Sequence, residues 1–498
     1  MKTVAKTAFW MAVFTLLSKA LGFVREVFLA GYFGVGEITD AYVMANNIPT
    51  IIFGGVFSAV ATAFMPTFSK KLEQEGEEAA NRFTREVVSI SLIISAISMV
   101  IGFIFSDQIT AICAPKFTGF RAELTSFFIK ITFTYIFFTC ITALMEAYLQ
   151  YKRVFIPQIL AGYTQTLAVI VMIIVAARYD YHLLAFGLLL GYGFKFIIVA
   201  IISGKKGFPF KPAPNIGGSA KEIAALSLPV FLGSSAAQIN LFVDRTLASG
   251  LIAGSVSALN YANTIVNLIT GLTTAIIVTI IYPRLTEANS LSEYERFGDM
   301  INKGIMIILL ISVPFTLGGM LYSDQVIEIV FQRGAFDPAA TALTGPAFFY
   351  YALGLIFVSA NALLVKGYYA MHNMKTPVSY AIICMGINIS LNLILIRYMA
   401  HMGLALATSI AALINTLLLY AGFRRRYPEI LLIKSAKQLS FILFASAVAV
   451  GASWPVYLLT VSHTPLLISI ILTVSTAAII YLILFLTMGK ALLQDILN

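Results

Sequence analysis

Nine ionisable side chains stand inside, or at the edge of, long apolar stretches of this 498-residue chain: the bases Lys19, Arg25, Lys130, Lys195 and Arg245, and the acids Glu26, Asp40, Glu146 and Asp244. In a hydrocarbon environment each charge costs at least about 2.5 kcal/mol, so it needs a partner, water or a charged ligand. The densest set is Ser18-Lys19-Ala20-Leu21-Gly22-Phe23-Val24-Arg25-Glu26. Lys19 and Glu26, seven residues apart, share a helical face, whereas Arg25 points elsewhere unless Gly22 lets the helix bend. Two readings stay open. Lys19 and Arg25 could face a cleft and grip an anionic headgroup, Arg25 by its bidentate fork to a phosphate. Alternatively they snorkel, or pair with Glu26 and Asp40 to hold helices together. Lys130 and Lys195 could each reach an interface along the stem.

Other chemistries lack their residues. Cys113, Cys140 and Cys384 show no CxxC spacing, and the four histidines form no HExxH-like pattern, which argues against disulfides and a zinc site. No phosphate-binding loop, no GxGxxG and no DDxxD-like cluster is present, so neither an ATPase nor a metal-dependent transferase is expected.

The elements that position these charges follow from composition. With 59% hydrophobic and 11% charged residues and a mean hydropathy of +0.90, the chain has too little polar surface for a soluble globule. Stretches of roughly 20 apolar residues, long enough to cross a bilayer, recur throughout. Fourteen are expected, at approximately 8–34, 41–68, 84–106, 124–149, 155–177, 183–203, 223–250, 255–282, 300–322, 342–370, 377–397, 402–423, 438–460 and 465–488. The first is too long for a cleavable signal peptide and is expected to remain as a span. The even-numbered loops and the termini hold 23 of the 33 Lys and Arg, the odd-numbered loops five. Positive charge is retained inside, so both termini are expected on the cytoplasmic side. The net charge of +10 then reflects topology and attraction to anionic lipid, not nucleic-acid binding.

Compared with itself at a shift of 217 residues, the sequence repeats: Ala45-Asn46 matches Ala262-Asn263, Gly54 matches Gly271, Pro66 matches Pro283, and Ser106-Asp107-Gln108 matches Ser323-Asp324-Gln325. With three more residues inserted, Tyr148 and Pro157 match Tyr368 and Pro377. Each unit has an even number of spans, so the two enter the membrane in the same direction, related by a pseudo-twofold along its normal. The expected organisation is an all-α polytopic protein with an N-lobe at 1–215, a C-lobe at 216–430 and an additional helix pair at 431–498. Two six-helix lobes around a cleft is a carrier architecture.

Several of these segments resemble the MurJ (MviN) family. Ser18 to Glu26 is similar to its first-helix motif, Thr39-Asp40-Ala41-Tyr42 to its second-helix entry, and Gln238-Ile239-Asn240-Leu241 with Asp244 to its seventh helix. Phe331-Gln332-Arg333-Gly334-Ala335-Phe336 and Lys375-Thr376-Pro377-Val378 are further family hallmarks. The resemblance implies a fold of the multidrug/oligosaccharidyl-lipid/polysaccharide exporter superfamily in a bacterial inner membrane. It also implies alternating access and lipid II, a polyprenyl-pyrophosphate-linked peptidoglycan precursor, as substrate. Membrane lipids and cell-wall synthases are the partners it suggests. By resemblance, Lys19 and Arg25 take the places of headgroup-binding bases and Asp40 that of an acid helping to close the periplasmic gate. A sodium ion is the one cofactor implied, at Asp244, Asn388, Asn392, the Leu404 carbonyl and Thr408. Such oxygen ligation suits a hard cation. The alternative is that the two amides, at i and i+4, bond neighbouring helices, with Arg245 supplying the counter-charge to Asp244.

The chain also departs from the family. Asn263-Thr264 and Asn267 stand where charged residues are usual in the eighth span, and Phe53-Gly54-Gly55 where charges are usual late in the second. Fewer cavity charges imply a weaker or differently shaped hold on a pyrophosphate. Another lipid-linked oligosaccharide, or a small molecule exchanged for a cation, is the alternative cargo.

Overall fold

The computed structural model describes residues 2–213, 238–291, 293–426 and 436–489. Among them every regular element is helical. In chain order come α1 (Lys2–Phe33), α2 (Glu37–Glu75), α3 (Glu77–Ile104), the short α4 (Ser106–Cys113), α5 (Gly119–Tyr151), α6 (Ile156–Arg178) and α7 (Leu183–Lys205). A helical segment over 238–248, α8, precedes α9 (Ser255–Ile276), a π turn (Ile277–Ile281) and α10 (Tyr282–Ser290). Then follow α11 (Tyr294–Leu321), the short α12 (Ser323–Phe331), α13 (Pro338–Ala370), α14 (Lys375–Arg426), α15 (Ala436–Val461) and α16 (Leu466–Thr487). Eleven of the described helical stretches are long and apolar enough to cross a membrane. α14 contains two expected spans, 377–397 and 402–423, divided at Ala400, whose φ of 49° and ψ of −133° break the helix. α1 covers the first expected span, and most of the one at 223–250 lies outside the described residues.

The helices gather into two compact units, Met1–Asn260 with Arg333–Phe336, and Tyr261–Gln332 with Asp337–Asn498. In the first, α5 is central: it packs on α2, α3 and α7, while α6 joins α7 to α1. Its core interleaves Phe64 and Phe68 of α2 with Phe83 of α3 and Tyr148 of α5, the Phe64 and Phe83 rings stacking at 5.8 Å. Residues 238–260, which the repeat assigns to the second lobe, pack within this unit; Thr246 donates to the Cys113 carbonyl at 2.8 Å.

In the second unit α13 packs on α11 and α14, and the C-terminal pair α15 and α16 lies against α11. Tyr322, Trp454 and Tyr457 close that contact. Pro283 accounts for the π turn: without an N–H it cannot bond the carbonyl four residues earlier, and the helix widens just before it.

α4 and α12, which open on the matched Ser-Asp-Gln triplets, are both short helices directly following a long one, α3 and α11. The matched Tyr148 and Tyr368 do the same work, donating to the Lys206 carbonyl at 2.9 Å and the Leu419 carbonyl at 3.0 Å.

Candidate functional site

Glu26 organises the charged set on α1. Arg25 donates to its Oε1 through Nη2 and, at 3.2 Å, through Nε. The other carboxylate oxygen accepts the Asn260 amide of α9 at 3.0 Å. Asn260 in turn accepts from Arg245 Nη2 at 3.2 Å, and Arg245 Nη1 donates to the Val256 carbonyl at 2.9 Å. One carboxylate thus links two guanidiniums, directly on one side and through an amide on the other. Glu26 and Arg245 are buried, whereas the Arg25 side chain remains 28% exposed. Of the two guanidiniums, Arg25 is the more exposed. Its Nε and Nη2 converge on a single oxygen of Glu26, so an acceptor with two oxygens to offer, such as a phosphate, can compete for the fork.

Two tyrosines, Tyr42 and Tyr192, lie within reach of the Arg25 charge. Tyr192 stacks on Tyr135, centroids 4.2 Å apart and planes 12° from parallel, and Tyr135 donates to the Asn46 carbonyl at 3.2 Å. Near the middle of α2, Phe53 packs edge-on against Phe133 at 5.9 Å.

Asp40 forms a separate centre at the first turn of α2. Its Oδ1 accepts the backbone N–H and the hydroxyl of Ser257, each at 2.8 Å, and its Oδ2 accepts the Gly254 N–H at 2.8 Å. Arg121, from the first turn of α5, approaches Oδ2 at 3.4 Å. The carboxylate thereby caps the N-terminus of α9, satisfying two of its open N–H groups and opposing the positive end of the helix dipole. Asp40 is completely buried and Arg121 nearly so. The Arg121 guanidinium lies 3.9 Å over the Phe117 ring and donates to the Ser249 carbonyl at 3.4 Å. α2, α5 and the turn between α8 and α9 are tied at this one point.

Lys19 is exposed and forms no ion pair among the described residues. Lys195 of α7 pairs with Glu146 of α5 at 3.0 Å, both half-exposed. In the second unit, Asn388 Oδ1 accepts the Asn392 amide at 2.8 Å and Thr408 donates to the Leu404 carbonyl at 3.0 Å. Asp244 belongs to the first unit.

Arg121, Ser257 and Asn260 escaped the sequence reading. Arg121 counted there as a loop charge, and Asn260 carries no charge at all. Ser257 had a signal, since it stands 217 residues from Asp40, the repeat shift itself.

The family model described as "Lipid II flippase MurJ" matches residues 29–476. A curated relative from Vibrio cholerae, "Probable lipid II flippase MurJ", is 29% identical over 480 residues, covering 91% of this chain and 89% of the relative. "Lipid II flippase MurJ" of Burkholderia cenocepacia is 25% identical, covering 83% of this chain and 82% of the relative. Among solved structures, "Lipid II flippase MurJ, inward closed conformation" superposes with a TM-score of 0.83 at 24% identity, over 96% of this chain and 99% of that one. An inward-facing multidrug resistance MATE family transporter of the MOP superfamily superposes at 0.69 with 14% identity, over 84% of this chain and 96% of that one. The charged α1 motif, the buried Asp40 centre, the repeated helical units and a family match over nearly the whole length agree: this chain belongs to the lipid II flippase MurJ family.

Proposed function

We infer that this multi-pass membrane protein is a transporter, not an enzyme, and that its cargo is lipid II, carried from the cytoplasmic to the outer leaflet of the bacterial inner membrane. The observation that carries this reading, beside family membership, is Arg25: a partly exposed guanidinium at membrane depth, held by a carboxylate that a diphosphate can displace. Translocating such a lipid requires no covalent step. It requires a polar refuge for the headgroup while the polyprenyl tail stays in lipid.

The sequence of events follows from the charges. With both termini cytoplasmic, as the distribution of Lys and Arg suggests, the first turn of α2 lies on the outer side. The headgroup enters from the cytoplasmic leaflet while the Asp40 centre is closed, and its diphosphate takes Arg25 from Glu26. Lys19, exposed one face away, adds a second positive charge. Glu26 keeps its bond to Asn260 and so remains in place to reclaim Arg25 when the headgroup leaves. Opening at Asp40, by alternating access, then releases the lipid outward. Membrane potential is a suitable drive, since moving one charge through 100 mV is worth about 2.3 kcal/mol. Asp244, Asn388, Asn392, the Leu404 carbonyl and Thr408 offer the hard oxygen donors that a sodium ion takes, and sodium there would help reset the empty carrier. Cell-wall synthases that consume lipid II are the partners this function suggests.

Phe53 packed on Phe133, in place of charge, favours one second reading, a related lipid-linked glycan with a less anionic or differently shaped headgroup.

The test is genetic. Expressed at native level in a bacterium depleted of its own lipid II flippase, the wild type is expected to restore growth and exposure of lipid II at the outer leaflet. Arg25→Ala, present in the membrane at the same level, is expected to fail. A well-inserted wild type that restores neither would shift the cargo to another lipid-linked glycan.

A further inference from the structure

The hallmark segment Arg333-Gly334-Ala335-Phe336 reaches α1, beyond the helices that flank it. These four residues, between α12 and α13, belong to the first unit, while Gln332 before them and Asp337 after them belong to the second. They seat on the end of α1. The Ala335 N–H donates to the Gly31 carbonyl at 2.8 Å. Two glycines with left-handed backbones face each other across this seat, Gly34 with φ +62° and Gly334 with φ +58°.

Neither glycine has room for a side chain. A Cβ on Gly34 would stand 2.3 Å from the Ala335 carbonyl oxygen, and one on Gly334 would stand 2.2 Å from the Gly31 carbonyl oxygen. Both obstacles are backbone atoms, which cannot swing aside as a flexible side chain can. Gly31 is close as well, its Cβ position lying 3.3 Å from Arg333 Cγ. Phe336, only 1% exposed, anchors the segment. Thr39 donates to the Gly34 carbonyl at 3.0 Å, one residue before Asp40, so the seat and the Asp40 centre share the turn that joins α1 to α2.

We propose that Arg333–Phe336 is a strap whose backbone interlocks with Gly31–Gly34 and holds the outer end of the first unit closed, and that it must lift off α1 before that end can open. The contact suits a reversible lock. One backbone hydrogen bond and the close packing of the two backbone turns contribute to it, and each can be exchanged for water on opening at modest net cost. This inference rests on the reading above that this end faces outward.

The experiment uses the full-length protein in right-side-out vesicles, with Cys113, Cys140 and Cys384 replaced by alanine and one reporter cysteine introduced. Ser249→Cys, completely buried beside Arg121, reports opening. Tyr179→Cys, 81% exposed in the loop after α6, reports which side that end faces. Labelling by a membrane-impermeant thiol reagent is expected to be low at position 249 and to rise several-fold in Gly34→Ala and Gly334→Ala. Gly76→Ala is the control: Gly76 also has a left-handed backbone, φ +90°, but nothing lies within 4 Å of its Cβ position. It separates backbone strain from loss of the interlock and is expected to leave labelling unchanged. Should either clashing variant be lost from the membrane, Phe336→Ala frees the strap without adding an atom and is expected to raise labelling too. Wild-type labelling in the strap variants, or an equal rise in Gly76→Ala, overturns the proposal. If position 179 is not labelled from outside, the orientation has failed instead, and the strap is then tested from the opposite face with inverted vesicles.

Discussion

Asp40 accepts two hydrogen bonds from Ser257, one from its backbone and one from its hydroxyl, each at 2.8 Å, and the two residues occupy the same position in the two repeats. The first turn of α2 is thus fastened to its own counterpart, the first turn of α9. Serine at one copy and aspartate at the other convert a meeting of like helix ends, both with positive dipoles, into a capped and attractive contact.

That contact is expected to be coupled to Arg121. Removing one partner of a buried ion pair typically costs about 3 to 5 kcal/mol, because the remaining charge is stranded. Arg121→Leu and Asp40→Leu should each lower thermal stability in detergent and abolish transport. The double variant should be more stable than the sum of the singles implies, since neither charge is left over. Strict additivity would show that the pair, at 3.4 Å, contributes nothing of its own.

Glu26 is expected to work as a competitor for Arg25. Glu26→Gln removes the charge that holds the guanidinium while leaving an amide oxygen for Asn260. Lipid II should then bind more tightly and leave more slowly, so that affinity in detergent rises while flipping in proteoliposomes falls. Arg25→Ala should lose both. A Glu26→Gln protein that binds more weakly would mean that Glu26 shapes Arg25 for the substrate instead of competing with it.

Much of the architecture was legible because hydropathy and repetition are strong signals in a chain solvated by lipid. The Ser-Asp-Gln triplets marked the start of α4 and of α12, and Tyr148 and Tyr368 marked equivalent joints. The adjacency of Arg25 and Glu26 already suggested a pair. The partners of Asp40 were obscure for a physical reason. Hydropathy locates the part of a helix that faces lipid, so it started the fourth span at 124, whereas α5 begins at Gly119. Arg121 lies in that polar first turn and was read as a loop charge. Asn260 was hidden because a neutral polar residue costs little in a sequence scan, and Ser257, though it matches Asp40 at the repeat shift, gained meaning only from the bond that the fold gives it to that carboxylate.

Lys195 and Glu146 are expected to be structural. Their side chains are 22% and 23% exposed and meet at 3.0 Å, joining α7 to α5. Lys195→Met alone should strand Glu146 and reduce the amount of protein in the membrane. Adding Glu146→Gln should recover it, with flipping restored to near the wild-type level. If the double variant inserts well but carries no lipid, the pair touches the cargo.

The sodium assignment makes a prediction that can be read without transport. A ligand that binds only the folded state stabilises it according to its concentration, by about 2.7 kcal/mol at one hundred times its dissociation constant. Sodium chloride, compared with potassium chloride at equal ionic strength, should therefore raise the melting temperature of the purified protein. Asp244→Ala and Asn388→Ala should each remove the difference, because one deletes the only full negative charge of the set and the other an amide oxygen. Two bonds of these groups run within α14 instead of to neighbouring helices: Asn388 and Asn392 bond each other at 2.8 Å, and Thr408 bonds the Leu404 carbonyl at 3.0 Å. If these amides and hydroxyls serve only to join turns of α14, Asn388→Ala should lower the melting temperature equally in both salts. Equal melting in sodium and potassium for the wild type would remove the cation from the mechanism and leave membrane potential as the drive.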